Sequence, residues 1–376
     1  MAVARVAPIG GQYNGFFDLG TGTVTYSTSG LRSNGGDAKF VCALSNALGP
    51  VNLEMDHVAG TREIVESFYY MTNSAPSAIF TTYSVNNASG NIGLSTTTSP
   101  NLRPFIGATT GTTVSVNVGQ WYRVDTHITV SGGTTTLAWW LDGAAQTGLS
   151  VSQVDADLTF SKLGIISSAT NITADFEFMD WVISYTGADA PLGQYLTYTL
   201  PIIGVGTHNI TTNNFQKTGA VNLSNADTTS WTEISEIPNN AATNVSQVVI
   251  ASTEYLEYAF QDTTVTGAPS VVGVFGEFAG SAAGGYVCEF RLYDGTTATS
   301  DLAASLTKSG TTVKRFKGQQ TTAPSGGAWT TNLVNSLRLR FGFSSDVTPN
   351  PQFSSAVIVQ AVPFVSSTYA LSSGVI

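Results

Sequence analysis

At 376 residues the chain is long for one hydrophobic core, and its length favours two domains, each large enough to bury a core of its own. Only 11% of residues are charged and 42% are hydrophobic, with 38 glycines, a composition of strands and turns rather than of a disordered polyampholyte or a helical bundle. The net charge of −10 argues against a nucleic-acid partner, which needs clustered Lys and Arg; the densest basic group, Lys314, Arg315 and Lys317, reads as a solvated face.

The opening Met-Ala-Val-Ala-Arg-Val-Ala-Pro lacks the continuous apolar run of a secretory signal, and no stretch of about eighteen apolar residues is present to span a bilayer. Short runs of alternating apolar and polar residues then follow, separated by Gly, Asn, Ser, Thr and Pro. Strands are expected over Ala38–Ala43, Glu63–Met71, Ala78–Val85, Trp121–Val130, Thr134–Leu141, Leu158–Ile166 and Ala174–Tyr185. Strand alternation lets only one of Trp139 and Trp140 face the core, and Asp142-Gly143 suits a tight turn with positive φ. The segment Thr-Gly-Ala-Asp-Ala-Pro-Leu-Gly after Tyr185 reads as a boundary, giving domains 1–190 and 191–376. A second set of strands is expected over Gly219–Leu223, Ser246–Ile250, Leu256–Phe260, Val271–Phe278, Tyr286–Tyr293, Thr312–Lys317, Ser336–Phe343 and Ser355–Phe364. The fold class is all-β, two β-sandwich (jelly-roll-like) domains in tandem. Cys42 and Cys288 fall in different domains and are expected as buried thiols.

Gln120-Trp121-Tyr122-Arg123-Val124-Asp125, followed after a Gly-Gly turn by Leu137-Ala-Trp-Trp-Leu-Asp-Gly143, resembles the laminin-G or concanavalin-A-like jelly roll. Phe176 to Ile183 is similar to that fold's closing strand, and the resemblance covers roughly residues 10 to 186. It implies that Trp121 fills the space between sheets. In the second half, Ser230-Trp231-Thr-Glu-Ile, Pro238, Glu254-Tyr-Leu-Glu-Tyr258 and Gly326-Gly-Ala-Trp-Thr330 resemble a module of bacteriophage tail, fibre and head-surface proteins. That resemblance implies a structural role.

Three histidines, His57, His127 and His208, leave few options for serine-type triads or multi-histidine metal sites. Glu54, Asp56 and His57 read as a solvated loop, and His127, beside Asp125, as a sheet-surface residue. Glycosidase chemistry needs two carboxyl groups at a set separation. Glu63 and Glu66 fall on opposite faces of one strand, whereas Asp175 and Glu177 share a face at about 6.6 Å along it. Asp175, Glu177 and Asp180 reproduce the Glu-x-Asp-x-x-Glu spacing of laminarinase-like glycosidases with every Asp and Glu exchanged, and Asp180 faces away from Glu177 unless a bulge resets the alternation. The set is read as a polar outer face and the chain as non-catalytic, with no catalytic residue and no cofactor.

For glycan stacking the aromatic candidates are Tyr69, Tyr70, Trp139 and Trp140, with Tyr83 beside them. Whether a metal binds is left open; Asp18 and Asp37 are the loop aspartates suited to calcium or to a simple turn. The sequence reading is therefore a structural component of a bacteriophage virion surface, a capsid decoration, head fibre or tail fibre. Its expected partners are other virion proteins, further copies of itself in a closed homo-oligomer, a trimer foremost, and host-surface glycan. The alternatives are a stand-alone carbohydrate-binding adhesin and a glycan-cleaving enzyme of concanavalin-A-like fold.

Overall fold

The computed structural model describes residues 3–6, 17–18, 23–27, 39–47, 50–168, 172–211, 213–235, 243–263, 265, 267–346 and 348–363. The chain is all-β, built on three large antiparallel sheets, and no helix among the described residues is long and apolar enough to cross a membrane. It divides into two compact units, one comprising Met1–Tyr198 with Pro363–Ile376 and the other Thr199–Val362. The turn-rich stretch after Tyr185 lies inside the first unit, where Gly187–Asp189 forms one turn of 3-10 helix.

In chain order the first unit contains β1 (Val3–Val6), β2 (Phe17–Asp18), β3 (Thr23–Ser27), β4 (Lys39–Ala47), β5 (Val51–Asp56), β6 (Glu63–Thr72), β7 (Phe80–Asn87) and β8 (Ile92–Thr96). It continues with β9 (Asn101–Ile106), β10 (Thr109–Thr110), β11 (Val114–Ser115), β12 (Tyr122–Ser131), β13 (Thr134–Leu141), β14 (Ala144–Ser152), β15 (Leu158–Ser168) and β16 (Ile172–Ser184). Two eight-stranded sheets result, ordered β14-β13-β12-β6-β16-β4-β3 with β1 on β16, and β10-β9-β8-β7-β15-β5-β2 with β11 on β9. Alternate residues of each strand meet between the sheets. Phe68 meets Tyr83 at 5.3 Å between ring centroids, Tyr70 meets Phe176 at 5.6 Å, and Phe80 meets Phe176 at 6.2 Å.

The interior position expected for Trp121 belongs to its neighbour. Tyr122 pairs with Tyr70 and is buried, so Tyr122, Val124, Thr126, Ile128 and Val130 form the inward set of β12, and Trp121, ahead of the strand, is half-buried. Trp139, in register with Thr126, is the inward tryptophan of its pair and donates Nε1–H to the Thr147 carbonyl at 3.0 Å. Asp142 and Gly143 turn the chain with φ of 49° and 82°.

The second unit holds a ten-stranded sheet comprising β17 (Tyr195–Val205, which begins in the first unit and enters the second at Thr199), β18 (Phe215–Lys217), β19 (Val221–Asn222), β20 (Val245–Gln247), β21 (Tyr255–Phe260), β22 (Val271–Gly280), β23 (Glu289–Tyr293), β24 (Lys314–Gln320), β25 (Arg338–Gly342) and β26 (Pro351–Pro363). The strand order is β19-β18-β20-β26-β17-β21-β25-β23, with β22 joining β26 to β24. Five strands each supply one phenylalanine to the centre: Phe290 lies 4.6 Å from Phe316, 5.1 Å from Phe278, 5.2 Å from Phe353 and 5.3 Å from Phe341. One short helix, α1 (Thr331–Ser336), follows the buried Trp329 and is capped by Thr330, whose Oγ1 accepts from Leu333 N at 3.2 Å.

Phe290 touches four other rings and is fully buried, so truncation opens a cavity that no single neighbour can fill. Phe290→Ala is expected to destabilise the second unit by about 4 kcal/mol, with Phe290→Leu costing less than half of that. Urea unfolding followed by near-ultraviolet circular dichroism measures both.

Candidate functional site

The carboxylates singled out from the sequence come together on β16. Asp175 and Glu177 do share a face, away from the inward Phe176 and Phe178, and the Asn73 Nδ2 amide bridges them, donating at 3.0 Å to Asp175 Oδ1 and at 2.9 Å to Glu177 Oε1. The register of β16 against β6 then shifts between Met179 and Val182, and Asp180 sits at φ 55°. This is a bulge, the one device that frees Asp180 from strict alternation. Asp180 Oδ1 accepts from the Thr197 amide at 3.0 Å and from Thr197 Oγ1 at 2.6 Å, so Asp180 anchors the chain returning past the sheet.

That returning segment, residues 185–198, covers this outer face. Ser67 Oγ donates to the Gly193 carbonyl at 3.4 Å, and Ser184 Oγ donates to Asp189 Oδ2 at 2.6 Å. At Gly187 a Cβ would lie 2.0 Å from Glu63 Oε1 and 2.8 Å from His127 Nε2, so the segment settles closely on the Glu63–His127 pair, itself 2.9 Å apart. Beneath it Asp125, its side chain fully buried, accepts from Arg123 Nε at 2.8 Å. Burial pushes the Asp125 carboxyl above the usual carboxylate range, with the Arg123 guanidinium pulling the other way. Glu177 and Asp180 are themselves buried.

The aromatic candidates divide by strand parity. Tyr70, Tyr83 and Trp139 are core residues with no accessible ring face, a correction to their assignment as stacking platforms: Tyr70 OH lies 3.1 Å from Thr96 Oγ1, and Thr126 Oγ1 donates to Tyr83 OH at 3.1 Å. Tyr69 is on the outer face but is also buried, at 8% exposure. Trp140 alone of this group keeps a half-exposed side chain, in register with Asp125. A second aromatic surface, unnoticed in the sequence, lies across β21, β25 and β23. There Arg340 packs 4.3 Å from the Tyr255 ring and 3.4 Å from Tyr293, Arg291 packs 4.2 Å from Phe343, and Tyr255 stacks on Phe343 at 5.3 Å. These groups stack on one another, so each guanidinium takes a ring face that a sugar would need.

The largest departure from expectation is at His57. Instead of lying in a solvated loop, its ring turns inward with no side-chain exposure and lies 3.9 Å from the equally buried Glu66. Glu66 Oε1 accepts from Ser161 Oγ, and Oε2 accepts from Trp181 Nε1 at 2.7 Å. His57 Nε2 lies at 2.8 Å from Ser161 Oγ and Nδ1 at 3.4 Å from Tyr185 OH. A chain of hydrogen bonds thus runs from half-exposed Tyr185 to the buried carboxyl. Burial is the dominant influence on Glu66 and pushes it up to about 7, against the hydrogen bonds from Ser161, Trp181 and Tyr83. Ser161 is fully enclosed and its hydroxyl is spoken for, so the arrangement ties β6, β15 and β16 together across the sandwich.

In the second unit, His208 Nδ1 accepts from the Glu257 amide at 3.0 Å, and its Nε2 lies 3.6 Å from Asp227 Oδ2. Burial lowers the His208 pKa, keeping the ring neutral, while Asp227 draws it the other way. Glu257 accepts from Arg340 Nε at 2.7 Å and from the Thr207 amide at 2.9 Å. Glu54 is paired with Lys162 at 3.1 Å. Among the described residues no group of three or more His, Cys, Asp or Glu side chains is placed to hold a metal ion. Asp18 falls on β2, and Asp37 lies outside the described residues.

No family model matches the chain, and no curated protein matches it. Among solved structures it is similar to the cellulose-induced protein Cip1, at 15% identity over 44% of this chain and 86% of that one, with a TM-score of 0.34. The botulinum neurotoxin type G receptor-binding domain is similar at 12% identity over 72% and 74%, with a TM-score of 0.35. A mutant of Trypanosoma rangeli sialidase displaying trans-sialidase activity is similar at 14% identity and a TM-score of 0.29, and the alignment takes in 40% of this chain and 28% of the sialidase's length. At these scores the likenesses assign nothing to the site.

Two outcomes follow from the geometry. Glu66 in the folded protein holds its proton up to about pH 7, whereas the unfolded chain releases it near 4.5. The contribution is therefore fully present below pH 4.5 and is lost as pH rises through 7, a change of about 3 kcal/mol at most. Urea unfolding at pH 5 and pH 8 should show this fall in the wild type, and Glu66→Gln should flatten it. Asp180→Ala should release Thr197, raising amide hydrogen exchange over residues 185–198 while leaving exchange in β7 and β15 unchanged.

Proposed function

We propose that this chain is a non-catalytic structural protein displayed on the surface of an assembled particle, of the bacteriophage virion type. The observation that carries this reading is the fate of the one glycosidase-like carboxylate set: Asn73 clamps Asp175 and Glu177, and Asp180 is spent on Thr197. An acid/base pair needs a carboxyl group that reaches a glycosidic oxygen, and these side chains are turned into the fold's own contacts. Supporting it are the scarcity of charge, which suits subunits that cover one another, and the second-unit motif resemblance, whose Trp329-Thr330 pair serves as core anchor and helix cap. A second reading, recognition of surface glycan by the first unit, is favoured by half-exposed Trp140 alone.

Antibody raised against the chain should label particle surfaces in electron micrographs of lysates from the source; label confined to the soluble fraction would overturn the reading. Polysaccharide hydrolysis by the wild type that disappears in Glu177→Gln would establish the enzymatic alternative. Binding on a glycan array that is lost in Trp140→Ala would establish the second.

A further inference from the structure

Past the end of β17 the chain runs on beside β21 as a strap, residues 206–211, tied down by a series of hydrogen bonds. Gly206 N donates to the Glu257 carbonyl at 2.7 Å and Thr207 N to Glu257 Oε1 at 2.9 Å. Asn209 and Tyr255 exchange two backbone bonds, at 3.0 and 2.9 Å, and Thr211 N donates to Glu254 Oε2 at 2.9 Å. In the middle His208 turns its ring inward, with 1% of the side chain exposed, and packs edge-on against Tyr258 at 5.8 Å between centroids. Its Nδ1 accepts from the Glu257 amide at 3.0 Å. One tie of the strap thus has an acceptor that titrates close to neutrality.

We propose that the strap is an acid-released latch: a proton taken up at His208 Nδ1 breaks the bond from the Glu257 amide and frees residues 206–211 from β21, uncovering the buried Ile210 and the Tyr258 ring. A backbone N–H can only donate, so Nδ1 presents its lone pair and the neutral ring carries its proton on Nε2. The nitrogen open to a second proton is therefore the one that holds the strap, and an imidazolium there would set N–H against N–H. Two carboxylates face the ring, Asp227 with Oδ2 at 3.6 Å from Nε2, and Glu257, itself paired with Arg340; the third titratable neighbour is the Tyr258 phenol. Burial disfavours the imidazolium more than these carboxylates favour it, so the latched ring titrates below the ordinary 6.5. The latch is accordingly at full strength above pH 6.5 and weakens as pH falls below it, because the released ring binds the proton more readily. Burial alone would raise the carboxyl groups nearby, but hydrogen bonds from Thr211 and Asn214 hold Glu254 below the usual carboxylate range, and those from Ser230 and Thr229 do the same for Asp227. These two keep their charge while His208 takes up its proton. The latch is independent of particle display.

The test is amide hydrogen exchange on the full chain, corrected for the intrinsic effect of pH. Protection over residues 206–211 is expected to fall several-fold between pH 7.5 and pH 5, while protection in β22 and β26 holds. His208→Asn offers an amide oxygen in place of Nδ1 and does not titrate, and it is expected to keep the strap protected at both pH values. A wild-type strap equally protected at both, or a fall of the same size in His208→Asn, which would put the effect on the carboxylates, overturns the proposal. Should the variant misfold, nitrogen-15 spectra of the wild type decide: protonation of His208 Nδ1 must move the Glu257 amide resonance with the same midpoint, and a ring that titrates while that amide stays in place proves the latch wrong.

Discussion

A strand sends successive side chains to opposite faces, and almost everything else in this protein depends on that period of two. It decides that Trp139 is core and Trp140 is not, that Glu66 is sealed between sheets while Glu63, three residues away, meets His127, and that Asp175 and Glu177 are neighbours. It also explains why Tyr122 occupies the interior that Trp121 was expected to fill. The bulge at Asp180 is the one place on β16 where the rule is suspended against β6. The suspension has a use, since it lets Trp181 reach Glu66 inside while Asp180 reaches Thr197 outside.

The buried carboxyl of Glu66 is tolerated in the sandwich interior because both of its oxygens are answered. A carboxyl group sealed from water is costly unless hydrogen-bonded, and Glu66 is met by hydroxyl and indole donors from two other strands. His208 and Glu257 in the second unit obey the same logic with backbone amides as partners. Such networks fix one arrangement of strands more sharply than an apolar core of equal volume, because a slipped register would strand each partner.

Much of the fold was legible in sequence because alternation is a local signal. The strong strands β6, β12, β13, β16, β22 and β25 fall where the pattern put them. The weaker ones escaped for identifiable reasons. β8, Ile-Gly-Leu-Ser-Thr, is buried on both faces and so does not alternate; β9 contains Pro104; and β14 is exposed, leaving no apolar face to mark it. Helix α1 is too short to show a helical period. At the site, the pairing of Asp175 with Glu177 followed from spacing, whereas Asn73 and Thr197 as their ligands did not, being far from β16 in sequence. His57 was misplaced for a related reason: nothing local indicates that a residue just past the end of β5 folds back to meet β6 and β15.

The two cysteines have a bearing on where such a protein can work. Cys42 and Cys288 are unpaired, lie in separate units and have no exposure, and burial pushes the Cys288 thiol up to about 12, so it stays protonated and unreactive. Neither unit leans on a covalent crosslink, and neither offers a thiolate to one. The same folded form is therefore compatible with the reducing interior of a cell and with oxidising surroundings outside it, and passage from one to the other requires no rearrangement of bonds.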